Sequence, residues 1–544
     1  MNAPSSNTSI WLALRNSAFR NLWLATLVSG TCFAAYSTAA FSVLGADASP
    51  FVISLMSTVS ALPYALFTFP AGALADMMDR KKILSTVSLF QAAVALCLTI
   101  LGLTQLVDAY VILASALLFH LGFAFSSPAS SSVVTEMVSR EELASANTLS
   151  GLHMNISGMI GPALGGLLIP IIGASFVFGL TGVGFLLMFL AILQWKPTRA
   201  QAPVPIDEFF ATISTAINYV RYAPGIKIIM VRTALFSLFI SIIPALMPVI
   251  GLKELHLEPK DLGYLFTSMG IGSVLGGVFV IPWARARLSP NKLTIYANLL
   301  LAIDVLLMTQ VHRPYVFLPI AAIAGAGWTL SASELWIAGQ RAMPDWARGR
   351  MSATMIMTTQ AATALGGAIW GAAATKWGVV PTFLVAGVLA ILLMVITHVA
   401  LRKRLSIDFA ASLNFEPAAV GIFSRHLDPM RLSQTKDRPV SVISQFSIDP
   451  ARRDECMALM HELRVIELRN GASSWHLYED LTQPNKFVLE VAASSWNEYL
   501  RHRERMTRDE KDVVDKVIGL RLDGGPPAEF PRVSADREVL MKRR

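Results

Sequence analysis

The chain is poor in charge over its first four hundred residues and poor in cysteine throughout. Residues 1–400 hold 21 Lys+Arg and 15 Asp+Glu, while the last 144 hold 24 and 22. So sparse a charge excludes an ordinary water-soluble domain for the longer part, since such domains carry about one charged residue in four. Cys32, Cys97 and Cys456 stand far apart in the chain, which leaves no disulfide framework and no metal-ligand spacing. No glycine-rich phosphate loop is present, and this argues against nucleotide drive. The net charge of +8 lies mostly outside the tail; it reads as topology information and not as a nucleic-acid surface. No cofactor is expected, and no metal.

What fills the space is apolar: 54% of residues are hydrophobic and the mean hydropathy is +0.53, which places most of the chain in lipid. A bilayer core of ~30 Å needs roughly 20 apolar helical residues. Stretches of that size run over 20–44, 51–74, 84–106, 109–133, 146–171, 174–195, 228–250, 262–284, 292–311, 314–338, 351–374 and 379–400. The first is longer than a signal-peptide core and is read as a retained span. With an internal N-terminus, sixteen Lys and Arg fall on the inner side, among them Arg80, Lys81, Lys82, Arg285, Arg287 and Lys292. Only Lys253, Lys260, Arg313 and Lys376 fall outside. Both termini are therefore expected on the cytoplasmic side of the membrane.

The fold class expected is an all-α polytopic membrane protein with 12 transmembrane helices in two six-helix halves, plus a C-terminal α+β ferredoxin-like cytoplasmic domain. The halves are residues 1–195 and 228–404, joined by a Pro-containing middle loop at 196–227. A linker at 405–435 leads to the soluble domain at 436–535. Two six-helix halves imply a substrate site between them near the midplane.

The junction of spans 2 and 3 reads Gly72-Ala73-Leu74-Ala75-Asp76-Met77-Met78-Asp79-Arg80-Lys81-Lys82. Gly72 there would permit close helix approach, Asp76 would place an anion at the membrane edge, and Arg80 to Lys82 would face anionic lipid. This stretch resembles the loop signature of the major facilitator superfamily, Gly-x-Leu-Ala-Asp-Arg-x-Gly-Arg-Lys. Met77 and Asp79 depart from its Arg and Gly. Gly72, Asp76, Arg80 and Lys81 are the expected transport latch.

Span 5 carries Gly158-Met159-Ile160-Gly161-Pro162-Ala163-Leu164-Gly165-Gly166, which is similar to the Gly-Pro-x-x-Gly-Gly signature of the drug:proton antiporter branches. Small residues allow tight packing and proline allows a bend, so Gly161, Pro162, Gly165 and Gly166 are expected in a moving interface. The span 4 arginine of those branches has no counterpart in Ala116 to Gly122. Pro344 to Met351, together with Asn470 to Trp475 and Ser495 to His502, resembles the bacterial transmembrane secretion effector branch, related to the enterobactin exporter.

The resemblance implies that spans 1, 4, 7 and 10 line a central cavity. A charge near a helix centre costs ~2.5–3.5 kcal/mol on insertion scales, so ionisable residues inside spans are site candidates. His120 falls mid-span 4, Arg232 about one turn inside span 7 and Glu334 about one turn from the end of span 10. An Arg232–Glu334 pair is one expectation; the other is a snorkelling Arg232 with Glu334 paired to Arg341. His120 suits either proton exchange or a bond to a backbone carbonyl. Tyr36 and Asn155 are candidate polar wall residues. Asp304, near the middle of span 9, finds no account in the sequence.

In the tail, strands are expected at 440–448, 475–479 and 486–491, and helices at 450–469, 495–506 and 508–518. That order is similar to small monooxygenase-like domains that pair as dimers, so a homodimer through the tail is expected. Fold does not imply activity, and the tail lacks a metal spacing or nucleophile motif. The resemblance thus implies a non-enzymatic exporter of a drug, siderophore or metabolite by alternating access, with protons as coupling ion and the bilayer as its solvent. An importer or uncoupled facilitator, or a membrane anchor for a tail enzyme, stays open at this point.

Overall fold

The computed structural model describes residues 11–45, 48–139, 141–196, 220–258, 261–311, 313–343, 348–399, 438–522 and 529–533. The expected middle loop (almost all of it), the linker 405–435 and the Pro344 to Ala347 part of the motif lie outside them. The chain divides into two compact units, one holding the long apolar helices and one holding the tail with residues 339–352 and the described part of 206–228.

In the helical unit the first six helices are α1 (Ser17–Leu44), α2 (Pro50–Met77), α3 (Arg80–Leu103), α4 (Ala109–Met137), α5 (Leu143–Ile172) and α6 (Ala174–Gln194). Their starts follow from local chemistry. Asn16, Ser49, Asp79 and Asp108 each accept a hydrogen bond from an otherwise unpaired first-turn N–H. Pro50 follows its cap at the one place where a missing N–H costs nothing. Between α5 and α6 the chain reverses on Gly173 alone, at φ 82°, a backbone conformation that favours glycine.

The helices that follow are less regular. Helices α7 (Pro224–Ile240) and α8 (Ile242–Val249) share one span, broken at Ser241 and ended by a π turn at Ile250–Glu254. Helix α9 (Leu262–Leu275) passes through a second π turn, Gly276–Val280, into α10 (Ile281–Arg285). Helices α11 (Pro290–Leu307), α12 (Pro314–Arg341), α13 (Arg348–Trp377) and α14 (Val379–Val399) complete the series. Among the described residues, 11 helical stretches are long and apolar enough to cross a membrane. The remaining expected span, 351–374, lies within α13, a helix of 30 residues rich in Ala, Thr and Gly.

The tail unit is built from β1 (Val440–Ser447), α15 (Arg453–Asn470), β2 (Ser474–Glu479), β3 (Lys486–Ala493), α16 (Trp496–Glu504), α17 (Arg508–Gly519) and β4 (Glu529–Val533). The sheet order is β2-β3-β1-β4 with every pair antiparallel. Strand β4 escaped the sequence reading: it is five residues long, contains Pro531 and pairs only with β1, the setting in which a strand tolerates proline. Phe446, Met460, Leu463, Val491 and Val514 form the core between sheet and helices, and Tyr222 packs against it.

Candidate functional site

The helical unit encloses two adjoining chambers. The larger, about 540 Å³, takes walls from both halves: Tyr36 and Phe41 of α1, Ser57 and Tyr64 of α2, His120 of α4, Phe266 of α9, Trp328 of α12 and Gln360 of α13. The second, about 480 Å³, lies within the second half and includes Thr233, Phe236, Trp336 and Thr359. Trp328, Gln360 and Thr363 belong to both walls. Neither wall contains an Asp, Glu, Lys or Arg.

The polar groups on the first-half side are partly committed already. The Tyr36 hydroxyl, on a side chain 1% exposed, shares a 2.8 Å hydrogen bond with Ser115 Oγ. His120 Nδ1 lies 2.8 Å from the Ala116 carbonyl. A carbonyl only accepts, so Nδ1 holds a proton and Nε2 is the nitrogen left to gain or lose one. Phe33 packs among Tyr36, Phe119, His120 and Phe123, so aromatic contact holds this side of the wall in place.

The two halves meet near the ends bearing Pro50, Leu262 and Trp377. There Phe51 N–H donates to Thr375 Oγ1 at 3.0 Å, and Phe41 stacks on Phe266 with ring centroids 5.6 Å apart. Farther in, Thr58 Oγ1 donates to the Ala364 carbonyl at 2.9 Å and Thr267 Oγ1 to the Met159 carbonyl at 3.2 Å. The motif on α5 serves two contacts at once. Gly161 and Gly165 admit α1, since a Cβ on Gly165 would stand 2.8 Å from the Ala35 carbonyl oxygen. Pro162 and Gly166 face Gly263 of α9, across the halves.

An apolar helical unit with a chamber between two halves is a transport architecture, and similarity in sequence decides which. The sequence model of the transmembrane secretion effectors matches residues 8–538. The chain belongs to this family of the major facilitator superfamily. The multidrug efflux pump Tap of Mycolicibacterium fortuitum is 26% identical over 379 residues, 68% of this chain and 91% of that one. The enterobactin exporter EntS of Citrobacter koseri is 23% identical over 379 residues, 68% and 88% of the two chains. In fold, a POT family transporter solved with a thioalcohol-conjugated peptide superposes with a TM-score of 0.59 at 14% identity, covering 71% of this chain and 96% of its own.

In this secretion effector the charged residues expected in the cavity stand elsewhere. Arg232 hydrogen-bonds the Asn291 side chain, and Glu334, 3% exposed, accepts from Arg285 Nε at 2.6 Å. The expected Arg232–Glu334 pair is not formed, nor the alternative with Arg341, because Arg232 turns to Asn291 on α11 and Glu334 to Arg285 on α10. Asn155 is exposed, donates to the Gly151 carbonyl at 3.2 Å and lines neither chamber. Asp304 sits three residues before the end of α11, not mid-span, and is 1% exposed with no hydrogen-bond partner for either oxygen.

The latch stretch of the secretion effector also differs from expectation. Arg80 pairs with Glu136 at the end of α4, and Lys81 Nζ donates to the Leu193 and Trp195 carbonyls at 2.8 and 2.6 Å. Gly72 is not a point of close helix approach: a Cβ there would meet nothing within 4 Å. The side chain of Asp76 lies outside the described residues. Sequence reasoning missed Glu136, Trp328 and Gln360. Glu136 carried a signal, an acid at the end of span 4 opposite the basic loop; Trp328 and Gln360 look like any aromatic and amide in a span.

Proposed function

We propose that this chain exports an amphipathic, largely uncharged small molecule across the bacterial inner membrane by alternating access. The observation that carries this reading is the 540 Å³ chamber between the halves, walled by aromatic rings, hydroxyls and an amide and free of ionic side chains. Such a wall favours flat apolar surface with a few hydrogen-bonding groups. Arg232 and Glu334, the ionic residues expected in the cavity, line neither chamber. The efflux and export roles printed for Tap and the enterobactin exporter support an outward direction.

With both termini cytoplasmic and twelve spans, the contacts at the Pro50, Leu262 and Trp377 ends close the outer side, so this is an inward-open state. Gly161, Pro162, Gly165 and Gly166 then act as the bearing on which α5 moves, with Asp76 and Arg80 in the cytoplasmic latch. Proton exchange drives the cycle, with His120 and Asp304 as carriers. The tail, read as a ferredoxin-like unit on its strand order, serves as a dimerising or regulatory module without catalysis of its own.

Everted membrane vesicles test the proposal. A panel of aromatic drugs and siderophores is added to energised vesicles and dissipation of the pH gradient is followed, with Trp328→Ala as control. Compound-specific dissipation lost in the control supports proton-coupled export. Uptake of the same compounds in the opposite direction, or accumulation indifferent to the gradient, points to an importer or facilitator and sinks the proposal.

A further inference from the structure

A third opening lies behind span 7 and is chemically unlike the chambers. It is a slot between α7, α11 and α14, with Phe236 and Ile240 as the wall dividing it from the second chamber. Its enclosed space is about 90 Å³, against about 540 Å³ for the central chamber, so it is a narrow crevice that can seat one side of a single chain and not a fused ring system.

The slot is graded along its length. At one end Arg232, Leu235, Ile295 and Leu393 are half-buried. At the other end Ala302, Val305 and Ala386 are buried, and the slot closes where α14 meets α11: a Cβ on Gly387 would stand 2.7 Å from the Leu306 side chain. The open end is therefore the end of Arg232. The bond from Arg232 to Asn291, the second residue of α11, holds the guanidinium level with that helix's first turn, beside exposed Lys292. From Ile295 to Val305 the helix rises about 15 Å, which is half of a ~30 Å hydrocarbon core.

A permanent cation at the membrane edge, above an apolar slot one leaflet deep, matches one kind of molecule. We infer that the slot holds an acyl chain of a phospholipid whose anionic headgroup is bound by Arg232. That the lipid comes from the cytoplasmic leaflet rests on the orientation proposed above; the binding itself does not. Guanidinium meets phosphate with paired N–H donors, and a cation near the membrane surface favours anionic over zwitterionic lipid. Phe236 and Ile240 line both the slot and the second chamber, so an occupied slot stiffens that chamber's wall from behind.

The full-length chain, purified from nanodiscs of equal parts phosphatidylglycerol and phosphatidylethanolamine, is examined for retained lipid by native mass spectrometry. This readout needs no transport, so it fails or succeeds independently of the export proposal. Phosphatidylglycerol is expected to be retained in preference, with roughly a fivefold loss in Arg232→Gln and retention in Arg232→Lys. Ala390→Phe, at the half-buried part of the slot, is expected to exclude both lipids, and melting curves check that each variant is folded. Equal retention of the two lipids by the unaltered chain overturns the inference. So does full retention in both Arg232→Gln and Ala390→Phe, or in Ala390→Phe alone should Arg232→Gln fail to fold. Displacement by glycerol phosphate as effective as by phosphatidylglycerol would reveal a plain anion site, and it too overturns the lipid slot.

Discussion

The two helical halves use the same charge device and differ in almost everything else. In the first, Arg80 at the basic loop after span 2 pairs with Glu136 on span 4; in the second, Arg285 at the loop after span 8 pairs with Glu334 on span 10. Yet helices α1 to α6 run without π turns or breaks, whereas spans 7 and 8 carry two π turns and an interruption at Ser241. The second half also owns the second chamber and the lateral slot. The lesson concerns the backbone: one half is a frame of continuous helices, and the other has the irregular turns that stand beside the second chamber and the slot.

The strongest way to break that contrast is to overpack the frame. Gly161→Leu drives a side chain into Ala34 and the Thr31 carbonyl of α1 and should destabilise the chain by about 3 kcal/mol. A thermal melt that leaves Gly161→Leu as stable as the parent would refute the close-packed reading of the first half. Trp328→Ala comes next: truncating an aromatic anchor shared by both chambers should weaken binding of a fluorescent aromatic substrate by about thirtyfold, ~2 kcal/mol, with little change in melting. If binding survives, recognition lies elsewhere.

The paired arginines sharpen the comparison quantitatively. Glu334 is 3% exposed in its side chain while Glu136 is 24% exposed. Losing the cation therefore hurts more in the second half: Arg285→Gln should cost about 1–2 kcal/mol and Arg80→Gln less than about 1. Glu334→Gln should restore part of the Arg285→Gln loss; its failure to do so would mean the carboxylate is not the source of the cost.

A smaller effect is expected in the tail, where Glu467 is buried beside His502, whose Nε2 lies 2.6 Å away, and Arg503. Burial alone would raise the Glu467 pKa, but the charge and contact of His502 and the charge of Arg503 outweigh it and hold the carboxyl below its ordinary value. A depressed carboxyl contributes stability that is present above the unfolded pKa of about 4.3 and is lost as pH falls through the folded value. Hydrogen exchange of the tail in the full chain should thus show weakening protection as pH drops below about 4.3, and Glu467→Gln should flatten that dependence. The smallest effect belongs to Tyr36→Phe, which gives up the bond to Ser115 for about 1 kcal/mol of stability; the ring stays in the chamber wall and the lost hydroxyl was already committed to Ser115, so substrate affinity should fall little, and a large loss would mean that this hydroxyl reaches the substrate.

Much of this was legible before any coordinates. Sparse charge and repeated twenty-residue apolar runs dictate a polytopic membrane protein, because uncompensated charge in lipid is too costly for any other arrangement. The basic loops drew attention to Arg80 and Arg285, which each hold a carboxylate, the span 5 glycines marked a close contact, and the switch to period-two and amphipathic patterns near residue 440 marked the tail. These features are local or periodic, so one stretch of chain suffices to read them.

Partners are another matter. Nothing in sequence distance says that Arg232 turns to Asn291 while Glu334 turns to Arg285, that Gly72 faces open space, or that Trp328 and Gln360 stand on the wall of both chambers. Each depends on how helices far apart in the chain are rotated and set against one another. That is decided by the summed packing of whole helix faces, not by any single motif.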